Sequence, residues 1–161
     1  MNNQMKKMVA EWILSDPKQL DTLWEMILNQ KPQQCGRAVW VLEYVCFLDK
    51  SVLVQLNDKI LDFFPKITDN SARRILAKLV CESEIPEKYE ADILNTAFDW
   101  FSNRSLPIAV RVNCMQIVYK ICKKYPDIAP EIVTIIKNEI SDAKPAFVCR
   151  GQKILKKLNK M

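Results

Sequence analysis

Histidine is absent from the chain, glycine occurs only twice, and no apolar run approaches the roughly eighteen residues that a membrane-spanning helix needs. Each absence removes a class of protein. Without histidine there is no Ser-His-Asp triad, no imidazole acid–base pair and no His-ligated metal. Gly36 and Gly151, both inside apolar-periodic stretches, are too few glycines for a β protein rich in turns. No two cysteines have the C-x-x-C spacing of a zinc or redox site. The first residues, MNNQMKKMVAEW, meet a glutamate before any long apolar core, which is not the pattern of a secretory signal.

What is present is apolar and charged in a regular pattern. The 161 residues are 49% hydrophobic and carry a net charge of +5, which fits one domain with a buried core. Cys46, Cys81, Cys114, Cys122 and Cys149 stand at core-like positions of helical stripes. Cysteine used as a small hydrophobe points to a reducing cytoplasm rather than to a disulfide framework.

Proline and aspartate supply the punctuation. Asp16-Pro17 reads as an N-cap with proline in the first turn, opening a helix through Leu20, Leu23, Trp24 and Ile27. Pro32 restarts the chain into Val41, Leu42 and Val45. Ser51 is the expected cap of a stripe ending at Phe63, Phe64 and Pro65, and Asn70 or Ser71 opens the next. Further helices follow Pro86, Leu106, Asp127 and Pro145. With the amino-terminal segment this makes about nine helices of three to five turns, an all-α chain.

The helices pair into four self-similar units, 17–48, 51–82, 86–124 and 127–160, with 2–14 as an amino-terminal capping helix. Each unit has an apolar first helix, a polar linker and a second helix with an arginine near its start. Arg37, Arg74, Arg111 and Arg150 recur at intervals of 37, 37 and 39 residues, while the apolar register favours Arg73 over Arg74 in the second unit. Ser141-Asp142 through Arg150, and Leu106 through Ile121 with its Val110-Arg111 pair, resemble the HEAT family of helical repeats. The first unit departs from that pattern: Gly36 replaces valine and the linker lacks aspartate. The resemblance implies a single-domain α–α superhelix over 1–161 whose second helices line a concave surface, and it implies no particular chemistry.

The recurring Arg37, Arg73, Arg111 and Arg150 read as a structural ladder, each reaching an Asp or Asn of a linker, such as Asp69, Asn70, Asn103 or Asp142. Charge segregation is the better functional signal, and it reads either as a basic groove or as a solvated carboxy-terminal face on which Lys120, Lys123, Lys124, Lys153, Lys156, Lys157 and Lys160 are favoured by the helix dipoles. Residues 107–124 and 144–161 carry +4 and +6, whereas the first helices of the same two units, 86–102 and 127–140, carry −3 and −2. The expectation is a non-catalytic scaffold, without cofactor or metal, that binds a protein through its concave surface. The alternative is a nucleic-acid binder of the DNA-alkylation-repair kind, gripping phosphates with Arg74, Lys78, Lys120, Lys124, Lys153 and Lys157. Tyr89 and Trp100 share an edge of one helix, either as a partner-binding rim or packed under a neighbour. The carboxylate pairs Glu82/Glu84 and Glu87/Glu90 lie at helix ends that read as solvated.

Overall fold

The computed structural model describes residues 3–31 and 33–160, and among them it contains helices and turns but no strand. Contacts cluster into two compact units, Met1–Glu84 and Ile85–Met161, with the division between the second and third sequence repeats. The first unit holds α1 (Asn3–Ser15), α2 (Pro17–Leu28), α3 (Gln34–Leu48), α4 (Lys50–Phe63) and α5 (Asn70–Glu82). The second holds α6 (Glu87–Ser102), α7 (Ile108–Cys122), α8 (Ala129–Glu139) and α9 (Pro145–Leu158). The expected restart at Pro32 lies outside the described residues.

Three aspartates start helices in the first unit. The Asp16 carboxylate accepts from the Lys18 amide at 3.0 Å, Asp49 from Ser51 at 2.8 Å and Asp69 from Ala72 at 2.8 Å. Ser51 is therefore the residue that is capped rather than the cap, and Asp69 rather than Asn70 or Ser71 opens α5. An ionised carboxylate both accepts the orphan N–H and meets the positive end of the helix dipole, which a serine hydroxyl cannot do as well. Asp127 does not start a regular helix. Pro126–Ile128 form a 3₁₀ turn and the α-helix begins at Ala129, with Pro130 in its first turn.

Each unit is built on a second helix that is apolar nearly all round. In the first unit α3 packs against α1, α2, α4 and α5, burying Cys35, Val39, Leu42 and Val45. In the second, α7 packs against α6, α8 and α9, burying ten of its fifteen residues. A helix with so little polar surface is stable only as the centre of a layer of neighbours. The core aromatics behave as their stripes require: Trp24 meets Phe63 edge to face, and Trp100 is buried rather than displayed on a rim. Cys46, Cys114 and Cys122 are buried, as is Cys35, and burial pushes the Cys46 thiol up to about 12. Cys81 is only half-buried and Cys149 is exposed, because Cys149 lies on the outer side of α9 from Phe147 and Ile154.

The two glycines have different environments. A Cβ on Gly151 of α9 would stand 2.8 Å from Ile136 Cγ2 of α8, a branched methyl that cannot swing away. On Gly36 the nearest atom is Ser71 Cβ at 3.5 Å, ordinary contact. Gly151→Ala is expected to destabilise by about 1–2 kcal/mol, overpacking outweighing the roughly 1 kcal/mol that alanine gains in a helix. Gly36→Ala is expected to stabilise by about 0.5 kcal/mol. Urea denaturation of the pair checks both signs, and a stabilised Gly151→Ala contradicts the close α8–α9 contact.

Candidate partner-binding surfaces

The arginine positions are the first site to resolve. In the second unit Arg111 is buried, with 5% exposure. Its Nε donates to the Phe101 carbonyl at 2.8 Å, one of the acceptors left over at the end of α6. Its Nη2 donates to Glu139 Oε2 of α8 at 2.5 Å, and the guanidinium lies 4.8 Å from the centre of the Phe147 ring of α9. One side chain thus ties α7 to three neighbours. The partner is not Asn103, which instead accepts from the Ser105 amide and hydroxyl within its own linker. A cavity of about 420 Å³ opens beside the pair, and exposed Arg104 approaches Glu139 Oε2 to 3.5 Å.

Arg73 repeats half of this arrangement. Its Nε donates to the Ile67 carbonyl at 2.9 Å and its Nη1 to Asn70 at 3.4 Å, so the apolar register, not the equal spacing, identified the counterpart of Arg111. Arg150 departs from the expected pattern: it reaches Gln116 of α7 at 2.7 Å, not Asp142. Arg37 departs further, being exposed and forming no ion pair among the described residues. With no aspartate in the first linker, Gln30 joins that linker to the next. It accepts from the Thr68 amide and hydroxyl at 2.8 Å and donates to the Lys66 carbonyl.

Of the six basic residues expected at a partner surface, Arg74 and Lys78 lie in the first unit and the other four in the second. Lys78 of α5 is paired with Glu43 of α3 at 2.8 Å. Lys124, just beyond α7, is paired at 2.9 Å with Glu90 of α6, which also accepts from the Tyr125 hydroxyl at 2.7 Å. Those two contacts hold the Glu90 carboxyl below its usual range, so this carboxylate is not the solvated end group its position suggested. Lys120 belongs to α7, and Lys153 and Lys157 to α9. Lys120 is half-buried, Lys153 exposed, and the Lys157 amine sits 5.5 Å from the centre of the Tyr119 ring. Neither α7 nor α9 contains an Asp or Glu.

A family model described as a HEAT repeat domain matches residues 1–158. The chain belongs to the HEAT repeat family. No curated protein and no solved structure matches it. HEAT repeats are helical scaffolds whose hairpins bury their apolar faces on one another, which accounts for the two central helices here and for ties such as Arg111.

One surface of this HEAT chain carries no motif. In the first unit α1, α2 and α3 enclose an apolar groove of about 290 Å³ lined by Val9, Trp12, Thr22, Met26, Arg37 and Val41, among others. Met8 is 64% exposed and Trp12 57%, with Met5 and Met26 also largely in solvent. The signal was available in α1, where Met5, Met8 and Trp12 widen the apolar stripe beyond the face that Ala10 and Ile13 bury.

Proposed function

We propose that the chain is a non-catalytic HEAT scaffold that holds an acidic segment of a protein partner along the second-helix side of its second unit. The observation that carries this reading is the pairing of α7 and α9, two adjacent helices with basic residues and no acidic one. In the first unit the corresponding helices α3 and α5 do contain acidic residues, Glu43 and Glu82, the first of them paired with Lys78. A fourteen-residue helix is about 21 Å long, enough to lie along a few turns of an acidic helix. The thiols of Cys35, Cys46, Cys114 and Cys122 suit a reducing cytoplasm.

The test titrates the chain with a glutamate-rich helical peptide and, in parallel, with duplex DNA and RNA at low and at physiological salt. The peptide should bind, and Lys153→Glu/Lys157→Glu, which alters exposed positions, should weaken it by about tenfold or more. Binding of nucleic acid alone, with affinity falling by about 0.9 log unit per log salt for each phosphate contacted, assigns the surface to the other class.

A further inference from the structure

We propose that the cavity beside Arg111 takes a carboxylate borne on an apolar body with a neighbouring amide, the chemistry of an N-acylated amino acid or of a peptide carboxy-terminus. Its walls are the linkers that precede α7 and α9 and the end of α8, all within the second unit. Arg111 is part of the lining although it is only 5% exposed. Its Nε and Nη2 are taken by the Phe101 carbonyl and Glu139, whereas Nη1 forms no hydrogen bond among the described residues and is not sealed from solvent. Nη1 is thus the nitrogen left to face the cavity, with two N–H donors on a planar, already oriented guanidinium. Such a group holds a carboxylate more specifically than an ammonium does. Arg104 and Lys144 add two exposed cations to the same lining.

The helix starts point the same way. In the second unit α7 and α9 have neither a side-chain cap nor an acidic residue in the first turn, whereas α6 and α8 have a first-turn glutamate. The amides of Ile108, Ala109 and Ala146 form no hydrogen bond among the described residues. Glu139 and Asp142 stand in the cavity, yet neither accepts from these amides. Two long helices therefore bring their positive ends and spare donors to one cavity that already holds a buried guanidinium.

The formal charges choose among anions. Arg104, Arg111 and Lys144 against Glu139 and Asp142 leave one positive charge, which a monoanion neutralises. A phosphate, close to doubly charged at neutral pH, would leave an excess of negative charge beside buried Glu139. Leu106, Pro107 and Ile108 supply an apolar wall, and the cavity, about 420 Å³, is of small-ligand size. The Asp142 carboxylate forms no hydrogen bond or ion pair among the described residues and is free to accept from an amide N–H of the ligand. Lys153 and Lys157 do not line this cavity, so it is separable by mutation from the α7–α9 surface.

The test is an amide-resolved NMR titration of the full chain with N-acetyl-leucine, N-acetyl-leucinamide and inorganic phosphate. N-acetyl-leucine should shift the amides of Ile108, Ala109 and Ala146 saturably, and the other two at the same concentration should not. Arg104→Gln/Lys144→Gln should weaken binding by about tenfold or more. Lys144→Gln alone, which leaves the Arg104–Glu139 contact in place, should weaken it by about threefold. Lys153→Glu/Lys157→Glu should leave it unchanged. A peptide ending in leucine separates the two sources. Binding about tenfold or more tightly than N-acetyl-leucine, and lost on amidation of its terminus, assigns the site to a protein carboxy-terminus. Equal affinity assigns it to a small acid, and either result upholds the site. The proposal is overturned by the absence of a saturable shift, by equal shifts from the leucinamide or from phosphate, or by affinity unchanged in both Gln variants.

Discussion

Arg111→Ala is expected to lower the stability of the second unit by about 3 kcal/mol, the low end of what breaking a buried ion pair costs. The loss has three parts. Glu139, 8% exposed, loses its closest partner. The Phe101 carbonyl at the end of α6 loses the Nε donor, and Phe147 loses the cation on its ring face. The cost stays at the low end because Arg104 stands 3.5 Å from the same carboxylate oxygen and the adjoining cavity of about 420 Å³ admits water. Glu139→Gln is expected to cost less, about 1–2 kcal/mol, since the amide oxygen still accepts from the guanidinium. Arg111→Lys should fall between, because a point-charge ammonium can satisfy the carboxylate or the carbonyl but not both in this geometry. Urea unfolding followed by circular dichroism reads all three. The first unit contains none of these groups, so a two-step transition should shift in one step only. An Arg111→Ala chain as stable as the parent would show that the three contacts do not hold α7 in place.

The order of effects in that series follows from information that lies far apart in the sequence. The position of Arg111 was legible because a cation inside an apolar stripe is locally anomalous. Its partner was not, because Glu139 is 28 residues away on another helix, and no local pattern marks which of several glutamates an arginine will meet. The same limit applies to Lys78 with Glu43 and Lys124 with Glu90, each joining residues 34 or 35 apart. Local signals fared better. Asp16-Pro17 opened its helix as read, and Pro145 began the last one. The centrality of α3 and α7 followed from their lack of a polar face. Helix starts failed where two polar residues compete: Asp49 and Ser51 are both good caps, and the carboxylate won. The groove over α3 was missed for a different reason. Methionine and tryptophan at helical spacing describe a buried face and an unfilled one equally well, so only the packing of α1 distinguishes them.

Phe147→Ala should cost more than Arg111→Ala, about 4 kcal/mol, although it removes no charge. The ring is fully buried and stacks on Phe101 with centroids 6.0 Å apart and planes 22° from parallel, so it joins α9 to α6 as Arg111 joins α7 to both. Truncation removes the transfer free energy of the ring and leaves a cavity between elements that are each fixed by other contacts, which prevents full collapse. The pair with Arg111 makes the effect testable beyond its size. If the ring face stabilises the desolvated guanidinium, the double variant Arg111→Ala/Phe147→Ala should be less destabilised than the two singles added together, by about 1 kcal/mol. Phe147→Leu separates the terms, because leucine restores most of the volume without an aromatic face. It should recover about half of the loss while keeping the Arg111 coupling near zero. Additivity of the two singles within about 0.3 kcal/mol would assign Phe147 to volume alone. Arg111 would then owe its place to Glu139 and the Phe101 carbonyl, and the tie across the second unit would be an ion pair and a helix cap resting on an aromatic floor.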